Sequence, residues 1–486
     1  MNNSLFEINY TKYVQPKYGD LRDPLEDDIL TNDNDSELDN EVSFRKSSAF
    51  EFDPIASQNS INYDERIDMT IHDVYSIDPE GCEDADDAFS IFYENDKLFL
   101  AIHIADPTDY IKLGSNLWNN MVKRTTTKYP SNRKPIHLIP DKILKISSLK
   151  GDNDLKKSIT ILSEIDKITY IPIGEIKLLF TKILVKKTNA YSYKIASENK
   201  NMNVFRIGLE ISKALLNIRS TKTKGVKLNE LSISNNKFIN DKVYLYQDSE
   251  DEKLMKQMIA EFAIYANSYV GEYLKKNLNI GIFRSCDAKD WLINTDNNIT
   301  GEEMIQQIIS NGITADYTSS IKSHDLVGMP EYCHFTSPIR RVADCVCHYL
   351  LKYIFRNKLY QTESLIPFND TELENLSLKC LETTKNDKKN QYLDIKFRLL
   401  QVMDNMIYEN GSIILEYYIN SYIGSFLNIV VCKINNFRVH MTYTLRVKNF
   451  NLMNELNVHK IITCTKVNCF TKFDQNCIPE LDNCFI

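Results

Sequence analysis

Residues 76–91 read SIDPEGCEDADDAFSI, and six carboxylates crowd into ten of those positions: Asp78, Glu80, Glu83, Asp84, Asp86 and Asp87. Like charges a few ångströms apart repel, and removing them from water strengthens the repulsion. A solvated acidic turn tolerates such crowding, and so does a segment neutralised by a divalent cation. The flanking Ile77, Ala85, Ala88 and Phe89 imply partial burial and so favour the cation. An extended chain after Glu83 would put Asp84 and Asp86 on one face and Asp87 on the other. Gly81 permits a turn sharp enough to bring Asp78 back toward them. Several hard oxygen donors at such a turn suit Mg2+. A calcium-binding EF-hand loop is excluded: counted from Asp78, its obligatory Gly and Glu positions hold Glu83 and Phe89.

Outward from this cluster the patterning is that of a mixed fold. DMTIHDVYSID alternates like a strand, and SIFYENDKLFLAIHIAD reads as two strands around an Asn95-Asp96 turn. From residue 252 the period becomes helical, with Leu254, Met255, Met258, Ile259, Phe262, Tyr265, Ala266 and Tyr269 on one stripe. Ser249 and Glu252 make a capping box at its start. Residues 370–405 are polar and predict a helix, and from about 411 several short strands predict a small barrel. The stretch EDDILTNDNDSELDNE (26–41) is acidic and poor in aromatics, so a flexible arm or a long loop is expected there.

The 486-residue chain is 43% hydrophobic and 26% charged, with a formal net charge of −8. That balance argues against a protein that coats nucleic acid non-specifically, although a local basic channel remains compatible with it. No N-terminal signal pattern and no membrane-length apolar run are present, so a cytoplasmic, membrane-free protein is expected. The eleven cysteines are an odd number, mostly in apolar stretches, and read as reduced thiols. Cys464, Cys469, Cys477 and Cys484 lack the paired short spacing of structural zinc knuckles.

A second constellation is HFTSPIRRVADCVCHYLLKYIF (334–355). Ser337 as N-cap and Pro338 at the first helical position predict a helix whose stripe is Ile339, Val342, Val346 and Leu350. Arg340 and Arg341 then fall in the first turn, where cations oppose the helix dipole but can hold a phosphate. The alternative for Arg341 is a pair with Asp344, three residues on. A carboxylate–metal site and an arginine–phosphate site together point to a metal-dependent phosphodiesterase or phosphotransferase.

IDPEGCEDADDAFS (77–90), AIHIADPTDYI (101–111), TKYP (127–130) and HFTSPIRRVAD (334–344) closely resemble, in this order, the motifs of the RNase II/RNase R family of RNB-domain exoribonucleases. Weaker matches are HLIPDKILKISSLKGD, AEFAIYAN and IGIFR, and the resemblance spans about residues 66–360. It implies an α+β fold: an RNB-type catalytic domain over 66–360, a helical connector over 361–405 and a small OB-like β-barrel over 406–486. It also implies hydrolysis of single-stranded RNA from the 3′ end to nucleoside 5′-monophosphates, with Mg2+ in a two-metal arrangement and Mn2+ as a substitute. By motif, Asp78, Asp84, Asp86 and Asp87 hold metal, with Asp86 and Arg340 catalytic. Tyr129 stacks on the terminal base, His334, Ser337 and Arg341 line the substrate pocket, and Glu80 and Glu83 are surface residues.

Departures from the family pattern are Val342 and Tyr349 in the arginine motif, His324-Asp325-Leu326 upstream of it, and Ser147-Ser148-Leu149. The first 65 residues are too short and acidic for the paired cold-shock domains of the family. A protein partner replacing them, and weaker, more salt-sensitive RNA binding, are therefore expected. The competing expectation is a catalytically weak or inactive RNA-binding or partner-docking protein on the same fold. A phosphodiesterase acting on another substrate is the third.

Overall fold

The computed structural model describes residues 5–6, 60–129, 134–223, 225–226, 235–239, 242–294, 301–361, 365–423, 426–446, 458–467 and 480–485. The acidic 26–41 stretch and Cys469 and Cys477 lie outside them.

Six strands build the first sheet: β1 (Ile67–Asp68), β2 (Val74–Asp78), β3 (Asp87–Glu94), β4 (Lys97–Ala105), β5 (Leu155–Ile165) and β6 (Pro172–Ser192). The antiparallel hairpin β3–β4 turns at Asn95 and Asp96, which both take positive φ (49° and 60°), as a two-residue turn matched to strand twist requires. β6 is 21 residues long. Its first half pairs antiparallel with β5 and its second half parallel with β1 and β2, so the sheet returns on itself.

After α1 (Asn116–Arg124), helices pack on this sheet, chiefly α2 (Glu250–Asn277) and α3 (Val342–Tyr360). In α2 the Ser249 hydroxyl accepts from the Glu252 N–H at 3.2 Å and the Glu252 carboxylate accepts from the Ser249 N–H at 2.8 Å, the expected capping box. Its buried stripe is Met255, Met258, Phe262, Ala266, Val270 and Leu274. These pack on β3 and β4, where Phe89 meets the Phe262 ring edge-on at 5.5 Å.

A small ribbon of β7 (Phe283–Cys286) and β8 (Ala315–Thr318) lies under α4 (Asp370–Asn410), a helix of 41 residues. α4 starts at a second capping box, Asn369 with Glu372, and stops at Gly411 in the left-handed region (φ +77°). Beyond it, β9 (Ile413–Ile423), β10 (Phe426–Ile434), β11 (Phe437–Arg446), β12 (His459–Val467) and β13 (Glu480–Phe485) close into a five-stranded barrel in the order β9-β10-β11-β13-β12. The alternating strands put Leu415, Tyr417, Ile419, Ile429 and Val431 inside, against Leu399, Val402, Met403 and Met406 of α4. The fold is therefore α+β, ending in a small barrel. Among the described residues no helix is long and apolar enough to cross a membrane.

The ADPTD stretch between β4 and α1 forms a buried ionic knot. Asp106 and Asp109 face Arg66 Nη2 at 2.6 and 3.0 Å, and Lys157 Nζ lies 2.7 Å from Asp109. Lys352 of α3 reaches Asp106 at 2.8 Å, Asp109 and the Thr108 hydroxyl. Burial works to raise the Asp106 carboxyl, but Lys352 and then Arg66 outweigh it and hold the group well below the usual carboxylate range. Through Lys352 the knot fixes α3 against the edge of the sheet.

Candidate active site

After β2 the chain turns at Gly81 (φ +79°), with the Cys82 N–H donating to the Pro79 carbonyl. It then runs irregularly to Asp86, and β3 begins only at Asp87. The expected alternation of faces therefore does not operate across 84–87. Asp78, Asp84, Asp86 and Asp87 all line one cavity of about 640 Å³ instead. The irregular segment is braced from outside: the Ser148 hydroxyl accepts from the Ala85 N–H at 3.1 Å, and the Ala85 and Asp86 carbonyls accept from the Leu149 and Ala105 N–H groups.

The helix expected from Ser337 begins instead at Val342. Arg341 is extended (φ −142°, ψ 129°), because residues 340–342 pair with 125–127: the Thr127 N–H donates to Arg340 O at 3.0 Å and the Val342 N–H to Thr125 O at 2.9 Å. Residues 337–340 form a turn that leans on the acidic segment. There the Ile339 N–H donates to Asp86 Oδ1 at 2.8 Å, and Arg340 Nε stands 2.9 Å from Asp86 Oδ2. Arg340 Nη2 donates to the Ser337 hydroxyl at 3.1 Å. Asp344, on the first turn of α3, accepts from the Ser337 N–H at 2.7 Å and pairs with Arg341 at 2.8 Å. The carboxylate pairing weighed for Arg341 is the one the structure has.

Tyr129, Ser337 and Arg340 share the cavity with the four aspartates, and Glu80 and Glu83 stand exposed at its edge. The Tyr129 hydroxyl donates to Asp84 Oδ2, and burial, with Asp84 beside it, raises the phenol above its ordinary value. Among the described residues the cavity walls do not include His334 or Arg341. His334 Nδ1 bonds the Tyr317 hydroxyl at 2.7 Å, and burial, then Arg341, drive its ring well below the usual histidine range.

Sequence reasoning passed over His137, Tyr193 and Lys256, which also line the walls. It also passed over the positioning role of Asn267 on α2. The Asn267 side chain accepts from the Phe335 N–H (2.8 Å) and the Thr336 N–H (3.2 Å), and donates to the Tyr332 hydroxyl, so it holds the irregular segment leading to Arg340. A polar amide on the otherwise apolar stripe of AEFAIYAN was the available signal.

The donor set fits a divalent cation. Burial, then Asp87, pushes Asp78 up to about 7, and burial pushes Asp87 up to about 6. Burial raises Asp86 well above its usual value despite Arg340 and the Ile339 N–H, and its Oδ2 accepts no hydrogen bond. Four aspartates, with Glu80 and Glu83 at the edge, therefore share one cavity with the Arg340 guanidinium and with Lys134 and Lys256.

Ionising Asp78 and Asp87 costs more in the folded chain than in the unfolded one, where a carboxyl titrates near about 3.9. Metal-free stability should therefore fall as pH rises from about 4 to about 7 and then level off, while a bound cation reverses the trend. Stabilisation by MgCl2 relative to EDTA is expected to be large at about pH 8 and nearly gone by about pH 5. Melting curves at both pH values measure this, and an equal gain at the two would exclude carboxylate ligation.

A profile of the RNB domain matches residues 66–357. Exoribonuclease 2 of Buchnera aphidicola is 25% identical over 380 residues, covering 66% of this chain and 55% of its own length. The chain thus spans about half the length of that curated relative. The structure of Mycoplasma genitalium RNase R with ribose-methylated single-stranded RNA superposes with a TM-score of 0.69 at 16% identity, over 94% of this chain and 78% of that one. Yeast Ssd1, described as a pseudonuclease, superposes with a TM-score of 0.63 at 16% identity, over 83% and 54%. At such identity the likeness to both structures is one of fold.

Proposed function

Because the chain belongs to the RNB-domain family, we propose that it hydrolyses single-stranded RNA from the 3′ end and releases nucleoside 5′-monophosphates. The observation that carries this reading is the meeting of Asp78, Asp84, Asp86, Asp87, Tyr129 and Arg340 in one cavity, although they come from segments more than 200 residues apart.

Asp78, Asp84, Asp86 and Asp87 would hold Mg2+ or Mn2+, which when bound neutralises phosphate charge and makes water a better nucleophile. Arg340, freed from Asp86, supplies guanidinium donors to the phosphoryl oxygens as negative charge grows on them. The Ser337 hydroxyl and the turn anchored by Asp344 aim that guanidinium. The Tyr129 ring gives a terminal base a flat face, with its hydroxyl fixed by Asp84. Water oxygen adds to phosphorus, the bond to the 3′ oxygen breaks, and a proton goes to that leaving oxygen. The products are a 5′-monophosphate and a strand shorter by one nucleotide.

A 5′-labelled single-stranded RNA with Mg2+, run on a sequencing gel, tests this: a ladder shrinking from the 3′ end supports it. Retention of uncut RNA would favour a binding protein, as the pseudonuclease Ssd1 allows for this fold. Cleavage confined to DNA or small phosphodiesters would move the reading to another substrate. Arg340→Gln is expected to lower the single-turnover rate by about 10²–10³-fold, the usual cost of one charge-stabilising donor. RNA affinity should change far less, and an equal loss of affinity and rate would make Arg340 a binding residue instead.

A further inference from the structure

A second, smaller cavity of about 210 Å³ lies between the β7–β8 ribbon and α4. None of its lining residues lines the aspartate cavity. In the ribbon Arg284 sits opposite Tyr317, and α4 presents Leu381, Thr384, Lys385 and Lys388 to it, one helical face at three-and-four spacing.

Arg284 is only 5% exposed. Its guanidinium carbon stands 4.6 Å from the centre of the Tyr317 ring. Among the described residues the guanidinium donates no hydrogen bond and has no carboxylate at ion-pair distance, and its Nη1 is fully buried without a partner. The Thr384 hydroxyl is likewise buried and unpartnered. Across the cavity Lys388 makes no hydrogen bond among the described residues, while Lys385 takes the nearby carboxylate, Asp316 Oδ1, at 3.1 Å.

Three cations thus converge with one carboxylate among them. Burial first, with Arg341 adding to it, lowers Arg284, and burial and then Arg284 lower Lys388, the mark of like charges held together. Proteins do not ordinarily bury an unpaired guanidinium beside further positive charge, because each such group forfeits its hydration. An oxyanion removes the conflict. A planar fork, two ammoniums and a hydroxyl, nearly all donors, match a tetrahedral and multiply charged one.

We propose that this cavity is a phosphate-binding site separate from the hydrolytic centre. The phosphate is either a diester of an RNA strand lying along α4 or the monoester of a free nucleotide, and both present the same oxygens. The site does not depend on the chain being a nuclease, since binding is read with EDTA present.

The deciding variant is Lys388→Glu, whose side chain is solvent-exposed at the rim of the cavity and makes no hydrogen bond among the described residues that the fold would lose. Arg284→Gln is its buried companion, and Lys389→Glu, one residue on and turned away, is the control for general electrostatics. Two readouts are needed: thermal stabilisation by inorganic phosphate against chloride at equal ionic strength, and affinity for a labelled oligouridylate over a salt series. Wild type should be stabilised by phosphate, and Lys388→Glu should lose that stabilisation. An oligouridylate affinity about tenfold weaker, with a salt slope shallower by about 0.7, would assign the phosphate to a strand. Loss of phosphate stabilisation with unchanged oligouridylate affinity would assign it to a free monoester. The proposal is overturned if Lys388→Glu matches wild type in both assays, or if Lys389→Glu has the same effect as Lys388→Glu.

Discussion

Asp86→Asn is expected to reduce RNA hydrolysis by a factor on the order of a thousand or more while leaving the metal-free protein as stable as before, or more stable. Both halves follow from the same contacts. Asparagine keeps an oxygen where Asp86 Oδ1 accepts the Ile339 N–H, so the turn bearing Arg340 stays docked. What it removes is a charge that burial makes costly, since Asp86 titrates well above the ordinary carboxylate range. Without a neutralising cation the cavity is costly to the fold, and removing that charge should relieve it at the expense of the proposed chemistry. Single-turnover rates and melting in EDTA, measured on the same preparations, separate the two effects. A variant within tenfold of wild-type rate would remove Asp86 from the catalytic set, and a large drop in the EDTA melting temperature would make its role structural.

Asp109→Asn should be the most damaging change far from the cavity, costing about 3–5 kcal/mol of stability, as expected when one partner of a buried ion cluster is removed. The charge count decides which partner matters most. Arg66, Lys157 and Lys352 face Asp106 and Asp109, three cations against two carboxylates. Losing Asp109 leaves three cations facing one carboxylate, whereas Lys352→Met leaves two facing two and should cost less. Urea unfolding of both variants measures the order. Equal costs, or the reverse order, would show that packing rather than charge balance governs the knot. Because Lys352 lies on α3, directly after the arginine turn, Asp109→Asn should also weaken catalysis without touching the cavity.

The residues of the candidate site were more legible in the sequence than the geometry that brings them together. Carboxylates amid apolar neighbours, and two arginines behind a Ser-Pro, are anomalies that charge and burial rules expose at once. The Asn95-Asp96 hairpin and the Ser249 capping box are equally local, and both stand in the structure as read. The start of α3 was misplaced for a non-local reason. Ser-Pro is a sound helix opening, but residues 340–342 are claimed by pairing with 125–127, more than 200 residues earlier. The same blindness hid the ADPTD knot, whose cations come from positions 66, 157 and 352. In the sequence Arg284 stands out only as the end of the weaker IGIFR match, and its setting emerges once α4 is laid across it.

α4 is a single rod about 60 Å long at 1.5 Å per residue. Asp387 on it bonds Lys128 and Thr126, beside Tyr129, and five residues later Tyr392 bonds Thr442 of the barrel. Each added or deleted residue between those two points would rotate one attachment about 100° relative to the other. Length change in this stretch is therefore tolerated only in near-whole turns. Insertions should fit in the loops around the barrel, while the spacing from 387 to 392 sets the phase between the barrel and the segment beside Tyr129.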